Sequence, residues 1–119
     1  MSTEISGVVG EFFDAVNRHD TDAIIATFES DAYVNDARHE FAGRDRIRAW
    51  VEKEITGDNV TIEPTEVITL HENVIVRGRY DGDYDKTNLP DELLLTHYFT
   101  VRDGKIAALI IIFNQPVSY

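Results

Sequence analysis

A chain of 119 residues, residues 1–119, is expected to form one domain, and its 43% hydrophobic content is enough to close a single core and too high for a disordered segment. Eleven Lys and Arg against 22 Asp and Glu, a net charge of −11, exclude a nucleic-acid binder, which relies on clustered basic residues. The lack of cysteine excludes disulfides, thiolate metal sites and cysteine nucleophiles, and without a basic leader or an apolar run of about 18 residues a cytoplasmic protein with no membrane contact is expected.

Ile5, Val8, Val9, Phe12, Phe13 and Val16 recur at helical spacing with Glu11, Asp14 and Asn17 opposite them, which predicts a first amphipathic helix. Asp20 or Thr21 caps a short second helix running through Phe28. "AYVND" and "HEFAG" read as a small two-strand excursion. A third helix starts near Gly43, buries Ile47, Trp50, Val51 and Ile55 on one face, and stops at Gly57. From residue 58 the period changes: "NVTIEPTEVITL", "NVIVRGRYDGDY", "ELLLTHYFTV" and "KIAALIIIFN" have the Val, Ile, Thr, Phe and Tyr content of strands. The tight links "HEN" and "RDG" predict antiparallel hairpins, and Pro64 a bend in the first strand. Three helices followed by a curved antiparallel sheet make an α+β fold with the helices on one face.

The last two strands are apolar on both alternating faces, whereas a sheet with one wet face alternates with polar residues. The helices cover one face, so a second copy of the chain is expected on the other. Leu94, Thr96, Tyr98, Ile110 and Ile112 then lie at a homodimer interface, while Leu95, Phe99, Leu109, Ile111 and Phe113 face inward.

Two residues carry candidate chemistry. Asp36 either closes the turn before "ARHEF", as aspartate often does, or is a pocket carboxylate able to take a proton. His97 shares a strand face with Leu95, Phe99 and Val101, and is either a hydrogen-bonding pocket residue or a satisfied core residue. His39, two residues from Phe41, reaches a cavity mouth or sits in water. The segment "DGDYDKTNLPDE", residues 81–92, mimics a calcium loop through Asp81, Asp83, Asp85 and Glu92. It carries Lys86 where the sharp turn needs glycine, and strands flank it, so it reads as a charged hairpin loop. With no zinc spacing, phosphate loop or serine-nucleophile motif, no metal or cofactor is expected.

The order of helix, short helix, "F-x-x-D-A-x-V-x-D" at 28–36, third helix and four long strands with "H-Y-F-T-V-R-D-G-K-I" at 97–106 resembles the ketosteroid isomerase and SnoaL-like polyketide cyclase branch of the nuclear transport factor 2-like superfamily, over about residues 5–115. The resemblance implies a cystatin-like cone in which three N-terminal helices packed on the curved sheet enclose an apolar cavity, commonly in a dimer. Phe12, Val16, Phe28, Tyr33, His39, Trp50, Val51, Phe99, Leu109, Ile111 and Phe113 would then bind the ligand. It also puts Asp36 at the general-base position, Phe12 at the position of a tyrosine donor and His97 at that of an aspartic acid donor, so one of the two oxyanion donors is absent. Two functions stand side by side. One is a cofactor-free isomerase, cyclase or lyase using Asp36 as base and His97 as donor or orienter on an apolar or carbonyl-bearing metabolite. The other is a non-catalytic ligand-binding or structural dimer module.

Overall fold

The computed structural model describes residue 5, residues 7–87 and residues 92–113. Helix α1, Gly7–Asn17, buries Val9, Phe12, Phe13, Ala15 and Val16, the stripe its spacing predicts. The Asp20 side chain accepts from the Ala23 N–H and caps α2, Thr21–Ala26. The Thr27 hydroxyl and N–H both turn to the Ile24 carbonyl, so α2 ends before Phe28. Phe28 instead opens β1, Phe28–Asp36, longer than the short excursion expected, with Phe28, Ala32 and Val34 buried.

β2, His39–Ala42, folds back on β1, and α3, Arg44–Trp50, follows. The helix does not continue regularly to Gly57: a π-helical turn, Val51–Ile55, widens it, with the Thr56 N–H bonded to the Val51 carbonyl five residues back. Gly57 closes it as expected, since a Cβ there would lie 2.2 Å from the Glu52 carbonyl oxygen. The strands β3, Thr61–Leu70, β4, Asn73–Asp81, β5, Leu93–Arg102, and β6, Lys105–Phe113, pair as successive antiparallel hairpins. The sheet order is β2-β1-β6-β5-β4-β3, and β1 runs parallel to β6, so the curved sheet is mixed, not wholly antiparallel. Parallel neighbours need a long connection, and residues 37–104 supply it.

Phe12 packs edge to face on Phe13, Phe28 and Phe99, with ring centroids 5.2–5.9 Å apart. Val16, Trp50, Val51 and Leu109 are buried in the same core cluster. Asn17 joins the helical layer to the sheet: its side chain accepts from the Ile62 N–H at 2.7 Å and donates to the Ile62 carbonyl at 2.9 Å, as a neighbouring strand would. On the opposite face Tyr98, Ile110 and Ile112 are 40%, 40% and 48% exposed. Thr96, expected there, is buried because it is short and flanked across the strands by Arg77 and Ile112. Among the described residues no helix is long and apolar enough to cross a membrane.

The β1–β2 turn places Ala37 and Arg38 at φ values of 50° and 76°, the left-handed pair that favours Asn-Gly. Each such residue with a Cβ costs about 1–2 kcal/mol. The double replacement Ala37→Asn with Arg38→Gly should therefore stabilise the protein by about 1 kcal/mol or more, read as a higher urea midpoint at unchanged slope.

Candidate functional site

A row of residues crosses the inner face of the sheet: Asp36 on β1 lies opposite Ile111 on β6, Ile111 opposite His97 on β5, and His97 opposite Val76 on β4. Asp36 does not close the turn beside it. That role falls to Asn35, whose side-chain oxygen accepts from the Arg38 N–H at 3.0 Å. The Asp36 carboxylate turns inward, where its Oδ2 accepts from the Trp50 indole N–H at 2.9 Å. The last residue of α3 thus fixes the last residue of β1.

His97 is 0% exposed, and both ring nitrogens are engaged. Nδ1 lies 2.9 Å from the Val76 carbonyl, which can only accept, so Nδ1 carries the proton. Nε2 is then the acceptor, and the Tyr80 hydroxyl donates to it at 2.5 Å. Phe13 stands edge-on to the imidazole at 5.3 Å, and Phe99 stacks on it at 6.1 Å. Gly78 stands between Val76 and Tyr80 on β4; a Cβ there would approach Ile62 Cγ2 to 2.6 Å and His97 Cε1 to 3.6 Å, so no side chain separates phenol from imidazole. Burial lowers the His97 pKa to about 4. Burial, then the charge of Asp36 and the neighbouring Tyr84, raise Tyr80 well above the ordinary tyrosine range. At neutral pH the phenol keeps its proton and the imidazole stays uncharged.

A cleft of about 270 Å³ opens at this end of the sheet. Asp36, Glu54, Asp58, Tyr80, Tyr84 and Asp85 give its polar wall, and Ile55, Val60, Leu93, Leu95 and Ile111 its apolar wall. A larger groove, about 640 Å³, runs beside α1 and α2, but its charged side chains, Glu11, Asp14, Arg18 and Lys105, are all exposed, and it lacks a buried pair like Tyr80–His97.

Asp36, expected as the base, lines the cleft, and of the residues expected to bind a ligand Ile111 does. His97 lies behind Tyr80, as a positioning residue whose own proton goes to Val76, and Trp50 holds Asp36 from the core. Phe12, Val16, Phe28, Val51, Phe99 and Leu109 are core residues, and the side chain of Phe113 lies outside the described residues. Tyr33 takes the other face of β1, since alternation sends it opposite to Val34 and Asp36; its hydroxyl donates to Glu40 at 2.9 Å and accepts from Asn35 at 3.0 Å. His39 is exposed on β2. Sequence reasoning missed Tyr80, Tyr84, Glu54 and Asp58. The alternation of Val76, Gly78 and Tyr80 was a usable signal for the first; the π-helical turn that carries Glu54 gave none.

The model of the SnoaL-like domain family matches residues 9–109. No curated protein matches the chain. Among solved structures, a candidate polyketide cyclase from Sinorhizobium meliloti is 30% identical with a TM-score of 0.82, over 94% of this chain and 99% of that one. An NTF2-like protein of unknown function from Cytophaga hutchinsonii is 16% identical with a TM-score of 0.76, over 96% and 95% of the two chains. TerC, co-crystallized with polyporic acid, is 18% identical with a TM-score of 0.76, over 90% and 88%. The last two likenesses are of fold alone.

The buried imidazole should be visible in the pH dependence of stability. The unfolded chain protonates His97 below about pH 6.5, the folded chain only below about 4. Its contribution is therefore complete above pH 6.5 and lost as the pH falls through that window, by about 3 kcal/mol in all. Urea unfolding between pH 7 and 4 should show a steeper loss in the wild type than in His97→Gln. Equal slopes would remove His97 as the source.

Proposed function

Because the chain belongs to the SnoaL-like domain family, we propose that it takes a small, largely apolar molecule into the Asp36 cleft and that Asp36 acts on it as a general base, in an isomerisation, cyclisation or elimination without a cofactor. The observation that carries this reading is the orientation of Asp36: its carboxylate is turned from the adjacent turn toward Trp50 and the cleft. One oxygen is held by the indole N–H, the other is left to take a proton, and aliphatic side chains form the facing wall. The relative at 30% identity is described as a polyketide cyclase candidate, and ring closure through a carbanion calls for such a base.

One observation favours a second reading, a binding module that does not turn its ligand over. Phe12 lies in the core and the His97 N–H is committed to Val76, so neither supplies a donor to a developing oxyanion. Asp36→Asn separates the two. The amide oxygen still accepts from Trp50, so folding should survive, while turnover across a panel of carbonyl substrates should fall by about 2 to 4 orders of magnitude. An unfolded variant, or undiminished turnover, would refute the base.

The same reading seats a second copy of the chain on Tyr98, Ile110 and Ile112, exposed on adjoining strands. Sedimentation should give a dimer at micromolar concentration, and Ile110→Lys with Ile112→Glu a folded monomer. A wild-type monomer under these conditions would overturn the interface.

A further inference from the structure

Residues 82–87 leave the end of β4 and supply Tyr84 and Asp85 to the wall of the cleft. The segment is folded on itself. The Asp81 carboxylate accepts from the Gly82 N–H at 2.8 Å and from Lys86 Nζ at 2.9 Å. Lys86 Nζ stands 5.6 Å from the centre of the Tyr84 ring, and the Thr87 N–H donates to Asp85 at 2.9 Å. Its attachment to the rest of the molecule is slighter. Among the described residues two hydrogen bonds reach it from the chain after the π-helical turn: the Asp83 N–H donates to the Asp58 carbonyl at 2.7 Å, and the Asn59 side-chain amide donates to the Asp83 carboxylate at 2.8 Å. Tyr84 is half-buried against the core, whereas Asp83, Asp85, Lys86 and Thr87 are exposed. Gly82 permits the close approach, since a Cβ there would stand 2.9 Å from the Asp58 carbonyl oxygen. The other walls belong to paired strands and to the helical end that buries Ile55 and Val60. A segment held by exposed bonds and one packed side chain opens at far lower cost than a strand ladder.

Resting on the reading of this cleft as the ligand site, we propose that residues 82–87 form a strap on its outer wall, latched by Asn59 on Asp83, and that release of the latch admits and discharges the ligand. A strap that carries two wall residues and folds as one piece swings away without disturbing the sheet. Asp36 keeps its bond to Trp50 throughout, because neither residue belongs to the strap. Closure returns Tyr84 and Asp85 to the wall and commits the ligand. The latch also accounts for the residue at position 59. Its backbone has a φ of 51°, a conformation that asparagine and glycine adopt readily, and of the two only asparagine brings an amide to the strap.

The test compares three variants. Asn59→Gly keeps the backbone conformation and removes the latch, Asp83→Ala removes it from the strap, and Asp83→Asn keeps an amide oxygen that still accepts. Without any ligand, hydrogen exchange at the residue 83 amide should rise about three- to tenfold in the first two and stay near the wild-type rate in the third, while the amides of β5 keep their protection. Coumarin, a small uncharged carbonyl compound, is then mixed rapidly with each protein and followed through the fluorescence of the single tryptophan. Its association and dissociation rates should both rise by a similar factor in the two variants that lack the latch, with Kd changed less than either rate. Exchange at residue 83 unchanged by Asn59→Gly and by Asp83→Ala would overturn the latch. Faster exchange with unchanged coumarin rates would overturn the gate and leave the cleft as the ligand site. No binding of coumarin by the wild type would overturn the reading of the cleft as a ligand site, and the gate with it.

Discussion

A buried imidazole must satisfy two ring nitrogens at once, and the solution at His97 sets the arrangement around it. The Val76 carbonyl fixes the tautomer, the tautomer makes Nε2 an acceptor, and the acceptor draws in the hydroxyl of Tyr80. Tyr80 can respond because Gly78, the intervening residue on its face, has no side chain. The chain of donors runs away from the cleft, toward the backbone of β4. Held in this way, Tyr80 stands in the wall of the cleft with its hydroxyl committed to His97.

Trp50 does for Asp36 what Val76 does for His97. Its ring lies in the core with Phe41 6.0 Å away, and only its N–H reaches the carboxylate. The π-helical turn begins at the next residue, Val51, so the helix that places Trp50 changes its pitch just as it passes the cleft, and Glu54 and Ile55 join the wall. Helix and sheet thus each contribute one side of the cleft, and the Trp50–Asp36 bond is one of the links between them.

Local periodicity made the helices and the four long strands legible, together with the inward face of β5 and β6, because those signals depend on neighbours in sequence. Asp36 was visible as a candidate, but only geometry separates a turn residue from a pocket carboxylate, and here Asn35 took the turn. The parallel pairing of β1 with β6 lies outside any local pattern, since its partners are more than 70 residues apart. Tyr33 was misplaced for a different reason: an aromatic three residues before an aspartate suggests a shared pocket, yet a strand sends residues an odd number apart to opposite faces. Tyr80 escaped notice because its importance rests on the tautomer of a histidine on the next strand.

The position of β6 in the sheet has a consequence for how the molecule comes into being. β6 lies between β1 and β5, yet it is the last strand in chain order, so during synthesis β1 and β2 have no partner in the remainder of the sheet until residues 105–113 have left the ribosome. Phe28 has Phe12 of α1 as an earlier partner, whereas Val34 lacks its β6 neighbour Leu109 for that interval. Closure of the sheet therefore waits on contacts of large sequence separation, the kind that slows folding in small domains.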